Sequence, residues 1–360
     1  MAAGGFDVII GNPPYVEYSK IRKVYQVGSY ACEKCGNLYA LTLERSLQVC
    51  SRQGLLGMIV PLSIMATERM APLQRLLLAS GRHIWLSAFD VYPSKLFDGA
   101  KQRFSIALVS GTNRTPQKLY ATRYNRWRPE ERAHLFSTLQ YYDAQYDAKL
   151  CVIPKTGHPV TYRILARLGR YTLARFRPAS GQPAFYVHRI PYNYVKALNF
   201  VPFFWNEVDG EKKSEDYKPY GLMAETDTGP ALAALNSNLF FFWWYTLFEG
   251  YHCGRHEIES FPFGLDQLTT SVRKRLTKLA ATLMGELQAN AKRKTCNYKN
   301  TGTVIYDELY PRLAKRIIDD IDCVLAQHYG FADDELDFII NYDIKYRMGQ
   351  DGGEEDDREE

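Results

Sequence analysis

Long apolar runs are missing from this chain. The most apolar stretch, Leu239 to Phe248, has 10 residues, against the roughly 20 that a membrane-spanning helix needs. The start lacks a basic stretch followed by an apolar one, so a secretory leader is not expected. Cysteine is sparse and odd in number, seven in 360 residues, which argues against a disulfide scaffold and favours a reducing, cytoplasmic setting. No second Cys-x-x-Cys accompanies Cys32 and Cys35, so a four-ligand zinc site is not expected and the pair reads as two surface thiols. His252, Cys253 and His256 likewise lack a further ligand motif, and no metal site is expected. No Gly-x-Gly turn follows an apolar strand, and Gly4-Gly5 has no strand before it. A self-contained nucleotide-binding βαβ unit is therefore excluded. No spaced Asp…Glu-x-Lys nuclease pattern stands out either.

What is present is the composition of a water-soluble globular protein, long enough for two domains or more. Aromatics are plentiful, with 26 Tyr and 18 Phe. The net charge of +5 is uneven. Residues 351–360 hold seven acids and one arginine, a net of −6, and subtracting that tail leaves +11 on the other 350 residues. Such a body attracts phosphates, although basic charge alone is weak support for a nucleic-acid partner. The tail has the composition of a disordered segment.

The chain is organised around Asn12-Pro13-Pro14-Tyr15, reached through Phe6-Asp7-Val8-Ile9-Ile10-Gly11. The β-branched run predicts a buried strand of a parallel sheet, stopped by glycine and two prolines. In an open α/β sheet, the loop past a strand's carboxyl end is where ligands bind. The Asn12 side chain and the Pro13 carbonyl are two acceptors held together by stiff backbone. Tyr15 adds a flat face on which a base could stack. A helix is predicted from Asn37 to Val49, then a buried strand at Leu55–Pro61, a helix at Met70–Ala79, and strands at 84–89 and 105–109. This alternation is the latter half of a doubly wound α/β sheet.

Asn-Pro-Pro-Tyr after an apolar strand resembles the catalytic motif of DNA adenine-N6 methyltransferases, above all the long single-chain methylases of type IIG restriction–modification and phage-defence systems. Further segments carry the likeness in the same order: Asn37-Leu38-Tyr39, Gly54 to Pro61, and Leu96-Phe97-Asp98-Gly99. The resemblance implies a class I methyltransferase fold in which a flipped-out adenine presents its amine to Asn12 and Pro13. Tyr15 would stack on the base, and S-adenosylmethionine would supply the methyl group. Phe97 is either a second stacking aromatic or a core residue at a loop end. Only five residues precede Phe6, so the cofactor pocket is expected to be incomplete here and finished by a longer chain or a second polypeptide.

Beyond residue 112 an α+β target-recognition domain is expected to about residue 264, followed by a helical region over 265–345 and an acidic tail from 346. Arg123 and Arg126 lie in a basic segment that either faces double-stranded DNA or is a solvated linker. Arg163, Arg167 and Arg170 belong to a stretch that either follows a phosphate backbone or is a solvated helix face. Leu235 to Phe240 and the Ile321-to-Leu336 ending again resemble the type IIG methylases. Ala231–Phe248 reads as a helix pair or a broken helix, buried on several sides, 265–295 as one long helix, and Tyr306–Pro311 as the opening of another. The rival reading is a DNA-recognition subunit or remnant without catalysis. A weaker rival is methylation of another planar amide, such as protein glutamine, which the large basic region argues against.

Overall fold

The apolar run before Asn12 forms β1 (Phe6–Gly11) of a six-stranded sheet in a computed structural model that describes residues 4–111, 117–178, 183–298 and 302–349. The chain divides into two units, residues 1–161 with 245–249, and residues 162–244 with the chain from 250 onward. In the first unit, α1 (Leu38–Val49) is capped by the Asn37 side chain, which accepts from the Tyr39 amide at 3.3 Å, satisfying one of the amides that a helix start leaves open. It leads into β2 (Cys50–Pro61), which runs parallel to β1 with Gly11 opposite Met58. A Cβ on Gly54 would fall 2.8 Å from the Phe6 carbonyl oxygen, so this approach of β2 to β1 requires glycine. Then follow α2 (Ala71–Ala79), β3 (His83–Phe89), β4 (Phe104–Ser110), β5 (Leu119–Asn125) and the short β6 (Tyr142–Asp143).

The strand order is β1-β2-β4-β3-β5-β6. Strands β1, β2, β3 and β5 run one way, while β4 is antiparallel to both its neighbours and β6 to β5. The fold is mixed α/β with four of six sheet strands in one direction. β5 lies past residue 112, so the basic stretch around Arg123 is part of this sheet rather than the start of a second domain.

One expectation about β1 is corrected. Its sequence predicts a buried strand, yet Phe6 is 58%, Val8 62% and Ile10 85% exposed. β1 pairs on one side only. Its free edge and these alternate side chains open onto a groove of about 660 Å³ walled by α1 and the loop before it. Parallel strands are ordinarily covered on both faces, and a long apolar edge is a template for another strand.

The second unit contains most of α3 (Val160–Leu168), from Tyr162 on, and two small sheets. β7 (Phe185–His188) lies between β8 (Ala197–Leu198) and β11 (Tyr217–Tyr220). β9 (Phe204–Asn206) and β10 (Gly210–Glu211) join β13 (Gly302–Glu308) and β12 (Lys292–Tyr298) in the order β10-β9-β13-β12. Of the two forms expected for Ala231–Phe248, the structure has the pair, α4 (Thr228–Leu235) and α5 (Asn238–Leu247). Asp322, buried on α7 (Lys315–Tyr329), accepts from the Asn238 and Leu239 amides at 3.1 and 3.0 Å and from the Asn238 side chain at 2.6 Å, capping α5 from outside. α7 ends at Gly330 in the left-handed conformation, as its sequence predicts.

Two further expectations change here. The long helix stops at Ala289 as α6 (Thr270–Ala289), and Lys292–Tyr298 and Gly302–Glu308 pair as antiparallel strands β12 and β13 in a region expected to be helical. The acidic tail does not begin at 346. α8 (Asp333–Ile340) and α9 (Ile344–Arg347) precede it, and the Arg347 guanidinium is buried between the Tyr194 and Phe241 rings at 4.4 and 4.3 Å. Residues 350–360 lie outside the described residues. No helix among the described residues is long and apolar enough to cross a membrane.

Candidate active site

Because β1, β2, β3 and β5 share a direction, their carboxyl ends meet at one edge of the sheet, together with the start of antiparallel β4. Asn12 to Tyr15 leave β1 there. Asn12 and Pro14 are exposed, Pro13 is buried, and Tyr15 is half-buried. The Tyr15 hydroxyl bonds the Asn12 side-chain oxygen and sits 2.9 Å from the Ile59 carbonyl oxygen on β2. A hydroxyl donates once, so these two acceptors share one proton. Partial burial pushes the Tyr15 phenol up to about 12, and it stays neutral at physiological pH. Its ring packs 5.7 Å from Phe104, and Phe97 meets the same Phe104 edge-on at 5.3 Å. Phe104 belongs to a core with Phe89, Leu96, Trp127 and Leu135, so the platform under Tyr15 is rigid. Phe97 remains 37% exposed. The structure therefore gathers Asn12, Pro13, Tyr15 and Phe97 at one end of the sheet.

Behind this surface lies a buried ionic frame that sequence reasoning missed. Asp90, just past β3, accepts from the Val91 amide at 2.7 Å and pairs with Arg103 at 2.9 Å. Its other oxygen receives the Tyr245 hydroxyl at 2.5 Å and lies 3.7 Å from Arg126. Arg103 directly precedes Phe104, and its carbonyl accepts from the Leu62 amide at 3.0 Å. The ion pair thus closes the 90–103 loop that carries Phe97. Lys155, 1% exposed, donates to the Phe248 carbonyl at 2.6 Å. Burial lowers its ammonium to about 7, against the pull of Glu249 and Asp90. The one signal available in the sequence was Asp90 standing immediately after an apolar strand.

The arginines expected to meet DNA separate into two groups. Arg123 and Arg170 are exposed. Arg126 is not available to a phosphate, being 6% exposed and bonded to the Tyr92 carbonyl at 3.1 Å as well as facing Asp90. Arg163 pairs with Asp334, and Arg167 pairs at 2.9 Å with Glu335, which is fully buried, so both tie α3 to α8. Cys32 and Cys35 are buried rather than surface thiols. Cys253 is buried too, and no group of three or more metal-ligating side chains exists among the described residues.

Comparison with known proteins follows this geometry. Residues 1–97 match the sequence model of the Eco57I restriction-modification methylase family. That match covers β1, the Asn12–Tyr15 loop, β2, β3 and Phe97. No curated protein matches the chain. Among solved structures, the chain is similar to the type IIL restriction-modification enzyme MmeI in complex with DNA, at 12% identity and a TM-score of 0.40 over 97% of this chain and 55% of that one. It is similar to the type ISP enzyme LlaGI, a nuclease-deletion mutant with a DNA substrate mimic, at 8% identity and a TM-score of 0.39 over 86% and 46%. A DrdV–DNA complex matches at 14% identity and a TM-score of 0.32 over 52% and 22%. This chain spans about half or less of the length of these three.

Proposed function

We propose that this chain is part of a site-specific DNA adenine-N6 methyltransferase of a restriction–modification or phage-defence system. The observation that carries the reading is Asn12-Pro13-Pro14-Tyr15 at the ligand-binding edge of the sheet, on the Phe104 platform and within the stretch that matches a methylase family. A flipped adenine would lay its ring against Tyr15, with Phe97 on the other side. Its amine would donate to the Asn12 side-chain oxygen and the Pro13 carbonyl, directing the nitrogen lone pair toward the methyl donor. No general base is needed, since the amine's proton can leave after transfer. Double-stranded DNA would be held by exposed cations, Arg123 and Arg170 among them, and by the second unit as target-recognition domain.

S-adenosylmethionine would supply the electrophilic methyl group when bound, and on this reading the chain holds only part of its site. The groove beside β1 has one charged lining residue, Arg45, and no carboxylate for a ribose. Its lining of Val8, Ile10, Leu38, Leu41 and Val49 suits a packed strand and helix better than a nucleoside. The cofactor-binding half would therefore add to the open edge of β1. Calorimetric titration of the purified chain with S-adenosylmethionine is expected to show no binding. Micromolar binding would mean that the chain builds a cofactor site of its own. Ile10→Glu is expected to change the stability of this chain by less than about 0.5 kcal/mol, as at any exposed position, while blocking assembly with the cofactor half. A matched loss in melting temperature would show that the residue already packs within the chain.

The arginines provide a separate test. Arg123→Ala and Arg170→Ala should each weaken DNA binding and lower the log–log salt slope by about 1. Arg126→Ala should leave that slope unchanged and cost about 1–3 kcal/mol of stability, because the Tyr92 carbonyl loses its donor and Asp90 keeps only Arg103 as an ionic partner. Equal slopes for all three variants and the wild type would remove these side chains from the DNA contact.

A further inference from the structure

Asp90, Arg103 and Arg126 hold the two ends of the 90–103 loop, and Phe97 stands at its middle. The Phe97 ring meets Phe104 edge-on and is 37% exposed, so packing covers only part of it. A third arginine, Arg132, holds the backbone there. Its Nη1 donates to the Lys95 carbonyl and its Nη2 to the Leu96 carbonyl, both at 2.9 Å. Successive carbonyls of an extended chain point to opposite sides. Two adjacent carbonyls turned toward one guanidinium therefore mark a bend immediately before Phe97, and the planar fork of arginine matches that pair. Past Phe97, the Phe97 carbonyl accepts from the Ala100 amide at 3.2 Å, closing a turn through Gly99 in the left-handed conformation.

Arg132 is itself aimed from a fixed base. It lies on a short 3-10 helix, Pro129–His134, whose start is held by Glu131 accepting from the Arg128 amide at 2.8 Å. The Leu135 amide donates to the Arg132 carbonyl at 3.2 Å, and Leu135 belongs with Leu96 to the core under Phe104. Arg132 is exposed to solvent. It also lies outside the residues that match the methylase family.

We propose that Arg132 is the positioning residue of Phe97. Its role rests on the proposed function, in which Phe97 is the second wall around the flipped adenine. Such a wall must stand within about 0.5 Å of its productive place. Without the fork, the Lys95 and Leu96 carbonyls turn to water and the ring samples more than one place. The adenine amine then meets Asn12 and Pro13 correctly in fewer of the bound complexes, so the loss falls on turnover. Lysine at this position keeps the charge but not the planar pair of donors.

The test has one arm that needs neither DNA nor methyl donor. 4-Fluorophenylalanine is placed at position 97 of the full chain and followed by fluorine NMR. The protein with Arg132 is expected to give a single resonance. Arg132→Ala and Arg132→Lys are expected to shift or split it, while the melting temperature moves by less than about 4 °C, as for a change at an exposed site. The other arm is a double-mutant cycle in the complete enzyme. Phe97→Ala and Arg132→Ala should each lower kcat by about tenfold and change KM for DNA by less than about twofold. The double variant should be no slower than Phe97→Ala alone. A fluorine resonance unchanged in both Arg132 variants would overturn the proposal. Losses that multiply in the double variant would overturn it too, because Arg132 would then act elsewhere. A complete enzyme that transfers no methyl group would count against the proposed function, and the fluorine result would still decide the role of Arg132.

Discussion

Under the proposed function, Asn12→Ala is expected to lower kcat for methyl transfer by about 10²–10³-fold, while affinity for duplex DNA changes by less than about twofold. Asn12 is exposed at the carboxyl end of β1, and its only described side-chain contact is the Tyr15 hydroxyl. Its removal therefore leaves the sheet and the second unit intact. What is lost is an acceptor that matters only when an amine is being oriented for attack, so the effect falls on turnover rather than on binding. Rate and equilibrium measurements on the same preparation separate the two. Wild-type turnover in Asn12→Ala would take the amine-orienting role away from this residue. A parallel collapse of DNA affinity would mean that the loop serves binding instead.

Asp322→Ala lowers the stability of the protein by about 2–4 kcal/mol, the cost of stranding buried donors and losing a helix cap. α5 is buried along its length, and the Asn238 and Leu239 amides at its start have no water to turn to. Asp322 is also expected to make stability depend on pH. Burial raises its carboxyl to about 7, above its unfolded value of about 3.9. The folded state then holds the proton more tightly than the unfolded state. The resulting stabilisation is complete below about pH 4 and is lost as pH rises through about 7. Denaturant melts at about pH 5 and about pH 8 should show Asp322→Asn gaining on the wild type as pH increases. A constant difference between the two proteins would mean that Asp322 is charged throughout, held so by its three donors.

Where short-range pattern decides structure, the sequence was a good guide. The Leu38–Val49 helix, the helix pair of Thr228–Leu247 and the Gly330 stop are written in apolar spacing, in small residues and in a glycine that reaches positive φ. The Asn12–Tyr15 loop was legible for a similar reason, since strand, glycine and two prolines leave the backbone little choice. The failures come from long-range pairing. Lys292–Tyr298 has no apolar alternation, and it is a strand because β13 pairs with it and with β9. Val8 and Ile10 read as buried because β-branched runs usually are, but burial depends on what lies against the strand's other edge. Arg126 read as a cation for DNA because its partner, Asp90, stands 36 positions earlier, and a charge pair at that separation leaves no local mark. Cys32 and Cys35 read as surface thiols because they follow polar residues, whereas both are fully buried and the Cys32 amide is held by the buried Glu44 carboxylate.

The central claim concerns which base receives the methyl group, and nucleoside mass spectrometry of DNA from cells carrying the protein in its native coding context tests it most directly. The account predicts N6-methyladenine with the wild-type chain and its disappearance with Asn12→Ala. N6-methyladenine that persists in the variant would contradict the site assigned here. Methylation found only on cytosine would contradict the proposed substrate.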